Sequence, residues 1–468
     1  MTARGWLAPR ILFPLYERLS GRWPWTELRR LRTLQWRSPE ELEARALWKL
    51  RPLLAHAYTH VPYYRDLFDG AGVRPDDIRT MSDLARVPRS GKAELRANFP
   101  ARIVADNLPK RRRETAMTSG STGLPFAFYT DRAGLDSRLG SYLFFREWAG
   151  VAFGDAALYI AAPPQLSPVR AHSSPLSRLA RRLVLGERVI HLSGPDLRAA
   201  RLVAELRRLP AKSGYWIWGW PSYVGRLAAE LLETGVALPT APRAIIAYAE
   251  TLTAADAAAI VRAFQCRVTN HYSSYEVLHL AQTCPDNPEA LHVNSERAVL
   301  RVVREDGSPA APGESGRVVI TDLTNRVMPF INYDIGDWAV AGAPCPCGRG
   351  FPTLTSPEGR VGEVIRTPGG KTITPVGLGW HIRQAFPYIW EYQAVQTAED
   401  AVVLRIVPTT RFSADLARKL AQDLEEFLGP GLRVQVETVD RIAVEASGKR
   451  LIIKRSHGWR SSPSSLTR

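Results

Sequence analysis

Between about Thr115 and Thr355 short apolar runs alternate with stretches of helical period: ALYIAA, the Leu/Ala-rich segment 197–209, RAIIAYAE and then TAADAAAIVRAF. Buried strands read as continuous apolar runs and amphipathic helices as 3.6-residue patterns, so this alternation predicts a layered α/β domain. The texture changes after Arg360. GEVIRTPGGKTITP predicts a hairpin turning at Gly369-Gly370, and AVVLRIV predicts a strand. A helix follows with Ser413 as cap, Asp415 in its first turn, Leu416, Leu420, Leu424 and Phe427 on one face, and Gly429 at its end. These elements predict a smaller α+β domain. Upstream, Ser38-Pro39-Glu40-Glu41 predicts a helix start, with Ser38 capping, Pro39 at the first helical position and Glu41 returning a bond to the cap. Pro52 is expected to kink or end that helix. The expected organisation is an arm over residues 1–50, a large domain over 51–359, a small domain over 360–455 and a frayed tail over 456–468.

Length and composition narrow the class. A chain of 468 residues exceeds one typical domain of about 150 residues, so more than one core is expected. No apolar run approaches the roughly 20 residues that span a bilayer. The first ten residues carry Arg4, Pro9 and Arg10 and do not read as a secretory signal, so a cytoplasmic location is expected. Four cysteines, Cys266, Cys284, Cys345 and Cys347, are too few and too uneven for a disulfide framework. Reduced thiols or a metal site are the alternatives.

The formal charge of +16 favours anionic partners without choosing among nucleotide, lipid and nucleic acid, and a compositional bias toward arginine accounts for it equally. Residues 1–51 hold eleven Arg or Lys against five Glu, interleaved with Trp6, Phe13, Tyr16, Trp23, Trp25, Trp36 and Trp48. Two readings fit: an amphipathic arm lying on an anionic membrane, or an arm whose aromatics pack onto the main domain.

The sharpest chemical signal is Thr118-Ser119-Gly120-Ser121-Thr122-Gly123, closed by Leu124-Pro125. Glycines let backbone amides approach an anion and hydroxyls donate further bonds to phosphate oxygens. No Gly-Lys-Ser/Thr follows, so the loop is not of the Walker type. Taken in order with AYAETL at 247–252, HYSSYE at 271–276, NYDIGD at 332–337, EGR at 358–360 and SGK at 447–449, it resembles the adenylate-forming superfamily. HAYTHVPYYRDLF at 56–68, GLP without a lysine after the loop, LHVNSE at 291–296 and CPCGRG at 345–350 resemble its phenylacetate-CoA ligase-like branch, which includes relatives encoded with capsular polysaccharide genes. The resemblance covers residues 50–455.

That resemblance implies roles, residue by residue. Thr118 to Gly123 would hold the ATP phosphates, Glu276 would hold Mg²⁺, Tyr272 would flank the adenine, and Asp337 would accept bonds from the ribose hydroxyls. Ala249 and Glu250 fall on the adenine side, and Arg360 would touch ribose or phosphate at the domain boundary. Lys449, on a C-terminal lid, would reach the α-phosphate and the attacking carboxylate, with Lys454 as competitor. The acid would lie against the segment Trp216 to Tyr223, chiefly Trp218 and Pro221, with Tyr248 and Ser273. An aromatic lining suits an aryl or other apolar acid, although the tryptophans serve equally as core. Two positions depart from the superfamily: Gly362 stands where a hinge acid or lysine is usual, and Asn332 replaces an arginine common before the tyrosine of NYDIGD. Separately, Cys284 and His292, eight positions apart, and Cys345 and Cys347, bracketing Pro346, form a candidate Cys₃His zinc set.

The reading that results is a large N-terminal α/β domain binding ATP and acid, with a small C-terminal α+β lid. Acid plus ATP would give acyl-AMP and pyrophosphate, and the acyl group would pass to a thiol, foremost that of CoA. One alternative sends it to an amine or hydroxyl in polysaccharide or secondary-metabolite biosynthesis. Another, a basic nucleic-acid-binding protein, leaves the ordered motifs without a purpose, and nucleic acid is not among the expected partners.

Overall fold

A computed structural model describes residues 7–108, 114–118, 126–161, 189–193, 197–209, 214–360, 363–382, 388–445 and 449–456. The phosphate-loop residues Ser119 to Gly123, the hinge position Gly362 and the tail from residue 457 lie outside these.

The hairpin β1 (Glu114–Thr118) and β2 (Phe126–Thr130) comes first, antiparallel, with Thr118 opposite Phe126. Next come β3 (Ala156–Ala161), β4 (Val189–Ser193), β5 (Tyr215–Gly219), β6 (Ala244–Tyr248) and β7 (Arg267–Tyr272), parallel in the spatial order β4-β3-β5-β6-β7. The same sheet continues antiparallel through β8 (Ala281–Thr283), β9 (Leu291–Val293), β13 (Thr353–Arg360), β12 (Tyr333–Ala341), β11 (Ser315–Asp322) and β10 (Ala298–Val303), making eleven strands. A short hairpin, β14 (Ile365–Arg366) and β15 (Thr372–Ile373), turns at the predicted glycines. A four-stranded sheet follows in the order β18-β17-β16-β19, from β16 (Ile389–Ala398), β17 (Ala401–Pro408), β18 (Arg433–Thr438) and β19 (Ile453–Arg455). This is the expected α/β architecture with a separate small sheet.

The parallel half is buried on both faces, which is why its strands carry no polar alternation. On β5, whose residues are all buried, Trp216 and Trp218 face one cluster with the helix Arg132–Trp148. Tyr215 and Ile217 face the other, with the helices Ala199–Arg207, Pro221–Thr234 and Ala254–Phe264. In the small unit the helix Ala414–Leu428 starts at the Ser413 cap and buries Leu420, Leu424 and Leu428 against its sheet.

The basic arm is a third layer rather than a free surface element. Phe13, Trp25, Leu28, Leu31 and Leu34 join the Trp216 cluster, and the helix Pro24–Leu34 lies on the helix Arg132–Trp148. Gly140 permits that approach, because a Cβ there would stand 2.5 Å from Cγ of Glu27. Its cations turn inward as well: Arg30, Arg45 and Lys49 converge on the carboxylate of Glu296, the acid of LHVNSE, which is 1% exposed. The predicted capping box forms at Ser38 and Glu41. Pro52, however, does not end the helix, which runs from Pro39 to His60. Losing one internal hydrogen bond is outweighed by burying Leu50, Leu53, Leu54 and Ala57 on a single face.

Candidate active site

The proposed nucleotide residues meet where β6 and β7 end beside β12. Tyr272, the last residue of β7, donates its hydroxyl to Oδ2 of Asp337 at 2.9 Å. In the β12–β13 register Asp337 lies opposite Arg360, so EGR and NYDIGD are adjacent. Four residues past β7, Glu276 is 4% exposed, and its Oε1 accepts from the Tyr333 hydroxyl at 3.1 Å. A cation that sequence reasoning missed also faces it: Lys92 Nζ stands 3.2 Å from Glu276 Oε1 and 5.9 Å from the ring centre of Phe126, the residue directly after the glycine-rich loop. Lys92 arrives there because Ser90 bridges to Tyr333 and starts the helix Lys92–Ala97 alongside it. Its only sequence signal was Ser90-Gly91-Lys92, which carries no recognisable spacing. Thr118 closes β1 at the mouth of the same loop.

Glu250 acts as a latch. Its Oε2 accepts from the backbone N–H of Ser222 at 3.0 Å, at the start of the helix Pro221–Thr234, and its Oε1 accepts from the backbone N–H of Arg450 at 3.1 Å. Helix N-termini favour a carboxylate, so Glu250 fixes this helix and the C-terminal segment together. Arg450 is 9% exposed, with its guanidinium 3.7 Å from Glu391. Burial works against its charge, but Glu391, Asp256 and Glu250 together raise its pKa. Lys449 is therefore one residue from a backbone contact to the end of β6. Ala249, just before the latch, adopts φ 69, a left-handed conformation that turns the chain away from the strand.

The proposed acid-binding residues form an aromatic wall. The ring of Trp218 lies 4.8 Å from that of Tyr248, tilted by 40°, 5.7 Å from Tyr142 and 5.0 Å from His271. Pro221 is buried at the first position of its helix. Trp216 (0% exposed) and Trp220 (5%) belong to the cores on opposite faces, so of the three tryptophans Trp218 borders the wall. Burial raises the Tyr248 pKa. Ser273 Oγ accepts from the backbone N–H of His279 at 3.1 Å.

A histidine relay behind this wall also escaped the sequence reading. The carbonyl oxygen of Phe145 can only accept, so the amide of Gln282 donates to it at 2.6 Å. Gln282 Oε1 then takes the Nδ1–H of His271 at 3.0 Å, leaving His271 Nε2 to accept from Nδ1–H of His279 at 2.9 Å. Burial lowers the pKa of His271 to about 4 and that of His279 well below its ordinary value. Both rings are neutral at physiological pH, and His279 keeps Nε2 as an acceptor.

Asn332 departs from the superfamily for a structural reason. It sits at φ 49, a conformation asparagine tolerates, with 1% exposure. Its amide donates to the carbonyls of Leu84 and Val87, and its Oδ1 accepts from Arg301. The four candidate zinc ligands, Cys284, His292, Cys345 and Cys347, also come together, their ligand atoms all within 4.8 Å of one another.

A family model of the CapK C-terminal domain matches residues 365–456, the small unit with its four-stranded sheet. The phenylacetate-coenzyme A ligase of Escherichia coli is 29% identical over 310 residues, spanning 64% of this chain and 67% of that protein. Protein CapK of Staphylococcus aureus is 23% identical over 79% of this chain and 80% of its own length. The chain is similar in sequence to phenylacetate-CoA ligases and to CapK. Among solved structures, 2-hydroxyisobutyryl-CoA ligase in its postadenylation state superposes with a TM-score of 0.75 at 21% identity, covering 90% of this chain and 91% of that one. The same enzyme in its thioesterification state gives 0.56 at 23% identity, over 89% and 90%. At these identities the likeness shows the fold, that of the adenylate-forming ligases.

Proposed function

We propose that the chain is an AMP-forming acid–thiol ligase of the phenylacetate-CoA ligase type. The observation that supports this reading is that the motif residues meet partners from distant segments: Tyr272 with Asp337, Glu276 with Tyr333 and Lys92, and the Lys449–Arg450 segment with Glu250. The carboxylate of the acid attacks the α-phosphorus of ATP, the bond to the β-phosphate oxygen breaks, and pyrophosphate leaves with the electron pair. The CoA thiol then attacks the acyl carbon, releasing AMP.

In this reading Asp337 accepts from the ribose hydroxyls while Tyr272 orients it, and Thr118 to Gly123 cradle the phosphates. Arg360 and Lys449 add positive charge at the α-phosphate, where negative charge grows during attack. Mg²⁺ would take oxygen ligands from Glu276 and the phosphates. Lys92 pairs with Glu276 before the metal arrives and, lying against Phe126, would serve the phosphates afterwards, supplying a cation that GLP lacks. Trp218, Pro221, Tyr248 and Ser273 would hold an aryl or similarly flat acid, and Nε2 of His279 would accept from a hydroxyl or amino group on it. Zinc at Cys284, His292, Cys345 and Cys347 would stand outside this chemistry.

The match of the small unit to the CapK C-terminal domain favours a second reading, in which the adenylate forms in the same way but an amine or hydroxyl is the acceptor. A cytoplasmic setting fits an ATP- and CoA-dependent enzyme, and no described helix is long and apolar enough to cross a membrane. Contact of the arm with anionic lipid would rely on Ile11, Leu15 and Leu19, exposed one helical turn apart beside Arg10 and Arg18. The reading is tested by ATP–pyrophosphate exchange with a panel of aryl, fatty and hydroxy acids, with and without CoA. Exchange that depends on the acid and not on CoA is expected, with thioester formed only when CoA is added. Absence of exchange across the panel overturns the ligase assignment, and thioester-free consumption of adenylate by an amine or hydroxyl selects the second reading.

A further inference from the structure

The sheet gathers thiols and an imidazole that the ligase reaction does not use. Cys284 directly follows β8, His292 is the middle residue of β9, and Cys345 and Cys347 lie in the loop between β12 and β13. Because β9 pairs with β13, placing His292 opposite Thr353, that loop is carried back beside the β8–β9 hairpin. Sγ of Cys345 and Cys284 stand 4.0 Å apart, and Nε2 of His292 is 3.2 Å from Sγ of Cys347. A tetrahedron with Zn–S bonds of ~2.3 Å has sulfur–sulfur edges of about 3.8 Å and slightly shorter sulfur–nitrogen edges. Those two edges lie within about 0.4 Å of such a figure, and all four ligand atoms are within 4.8 Å of one another.

The surroundings are those of a metal site. Nδ1–H of His292 donates to the carbonyl of Phe351 at 2.9 Å, which fixes the tautomer and leaves Nε2 with its lone pair toward the thiols. The backbone N–H of Arg349 donates to Sγ of Cys347 and that of Asp286 to Sγ of Cys284, both at 3.4 Å, while the amide of Asn287 reaches Sγ of Cys345 at 3.6 Å. Three thiolates and one neutral imidazole around a dication leave one negative charge. Arg349, whose side chain is 8% exposed, faces that charge with Nη1 3.9 Å from Sγ of Cys284.

We infer that Cys284, His292, Cys345 and Cys347 bind one Zn²⁺ in a closed, structural site, and that this ion holds the CPCGRG loop as a clasp on the N-terminal arm. Closure follows from the donor count, since four protein ligands leave no position for substrate. The clasp follows from what the loop touches next. Nε of Arg349 donates to Oε1 of Gln35 at 2.9 Å, and its guanidinium lies 4.5 Å from the ring centre of Trp36 and 5.2 Å from that of Trp148. The backbone N–H of Gly350 donates to the carbonyl of Gln35 at 3.0 Å, and any Cβ at Gly350 would collide with the carbonyl oxygen of Arg37. The second glycine of the motif is thus required by the arm, while the first, Gly348 at φ 82, turns the loop after Cys347. This inference does not depend on the ligase reading.

The test is elemental analysis of the full chain, purified without a metal-affinity step from zinc-supplemented cells, followed by limited trypsin digestion before and after the metal is released with a thiol-blocking mercurial. About one zinc per chain is expected, with the Cys266→Ser chain retaining it and the Cys345→Ser and His292→Ala chains losing most of it. Release of the metal should speed cleavage at Arg37 roughly tenfold, because the clasp no longer protects the arm. Native protein holding well under one zinc with four freely titrating thiols, or a Cys284–Cys345 disulfide found by mass spectrometry, overturns the site. Full zinc occupancy with a cleavage rate unchanged on its removal overturns the clasp.

Discussion

Replacing Glu296 by Gln removes the anchor of the arm, and the size of the effect follows from the structure. Its Oε1 accepts from Nε of Arg45 at 2.8 Å and its Oε2 from Nη1 of Arg30 at 2.8 Å, with Lys49 Nζ bonded to both the side chain and the backbone carbonyl. Burial alone would raise the pKa of this carboxyl. The hydrogen bond from Arg45 and the charges of Lys49 and Arg30 reverse that, taking it from 4.5 to about 2. A depression of that size corresponds to roughly 3 kcal/mol of stability at neutral pH. The folded pKa lies below the unfolded one, so the contribution is complete above the unfolded value and is lost as pH falls through the folded one. Urea unfolding of native and Glu296→Gln chains, followed by tryptophan fluorescence, should differ by about 3 kcal/mol at pH 7, with the gap narrowing steadily between about pH 4.5 and 2. A gap below about 0.5 kcal/mol at pH 7, within the range of an ordinary surface pair, refutes the anchoring role. A gap that stays constant over the acid range refutes the electrostatic origin.

Glu276→Gln and Asp337→Ala should each lower acyl-AMP formation by about a hundredfold or more while leaving urea unfolding little changed, since each removes a group proposed to hold Mg²⁺ or ribose; near-normal pyrophosphate exchange in either variant removes that residue's assignment. Lys92→Ala should lower kcat for adenylation roughly tenfold and also reduce the Mg²⁺ concentration needed for half-maximal rate, because Lys92, paired with Glu276 Oε1, would compete with a metal proposed to bind there; an unchanged Mg²⁺ dependence would leave Lys92 a structural partner of Glu276.

Elements with a strong local signal were legible in the sequence. The helix Ala414–Leu428 begins at its Ser413 cap as predicted, and the hairpin over residues 365–373 turns at Gly369-Gly370. The strands hidden in ALYIAA, RAIIAYAE and AVVLRIV form where their apolar runs placed them. Of the two outcomes expected at Pro52, an end to the helix does not occur, because a local rule lost to long-range burial of the helix face around it. In the candidate site, the motifs named residues such as Tyr272 and Asp337 that the structure brings into contact, whereas contacts made by topology left no sequence signal. Lys92 reaches Glu276 across 184 positions only because Ser90 bridges to Tyr333, and His279 matters through a relay whose direction is set by the Phe145 carbonyl. Arg450 stood beside the predicted lysine, but nothing in SGKR announces that its backbone N–H meets Glu250. The arm posed the opposite problem: its composition suited both membrane and core, and no local pattern announced that Phe13, Trp25 and Leu28 join the core while Arg30, Arg45 and Lys49 converge on Glu296.

The choice between Lys449 and Lys454 as the lid cation turns on what each is tied to. Lys454 lies in β19 and pairs with Glu445 Oε1 at 2.7 Å, both side chains about one-third exposed, at 34% and 31%. A pair this open contributes at most about 1 kcal/mol, and it keeps the ammonium on the small unit's own surface. Lys449 precedes the residue whose N–H is bonded to Glu250, two positions past β6, and β6 pairs with β7, which ends at Tyr272 and its bond to Asp337. The docked segment would thus bring residue 449 toward the side of the large sheet that carries the proposed nucleotide residues. A cation acting on charge that develops in a water-poor site contributes roughly 3 to 4 kcal/mol, or about a hundred- to a thousandfold in rate. Lys449→Ala should therefore slow acyl-AMP formation by that factor while passing a synthetic acyl-adenylate to CoA at near the native rate, and Lys454→Ala should change the first step less than about twofold. Glu250→Gln should weaken adenylation to an intermediate degree, because a neutral amide still accepts from Arg450 but no longer attracts its positive charge. If Lys454→Ala abolishes adenylation and Lys449→Ala does not, the small unit closes in another register, and the Glu250 contact belongs to a state that the chemistry does not use.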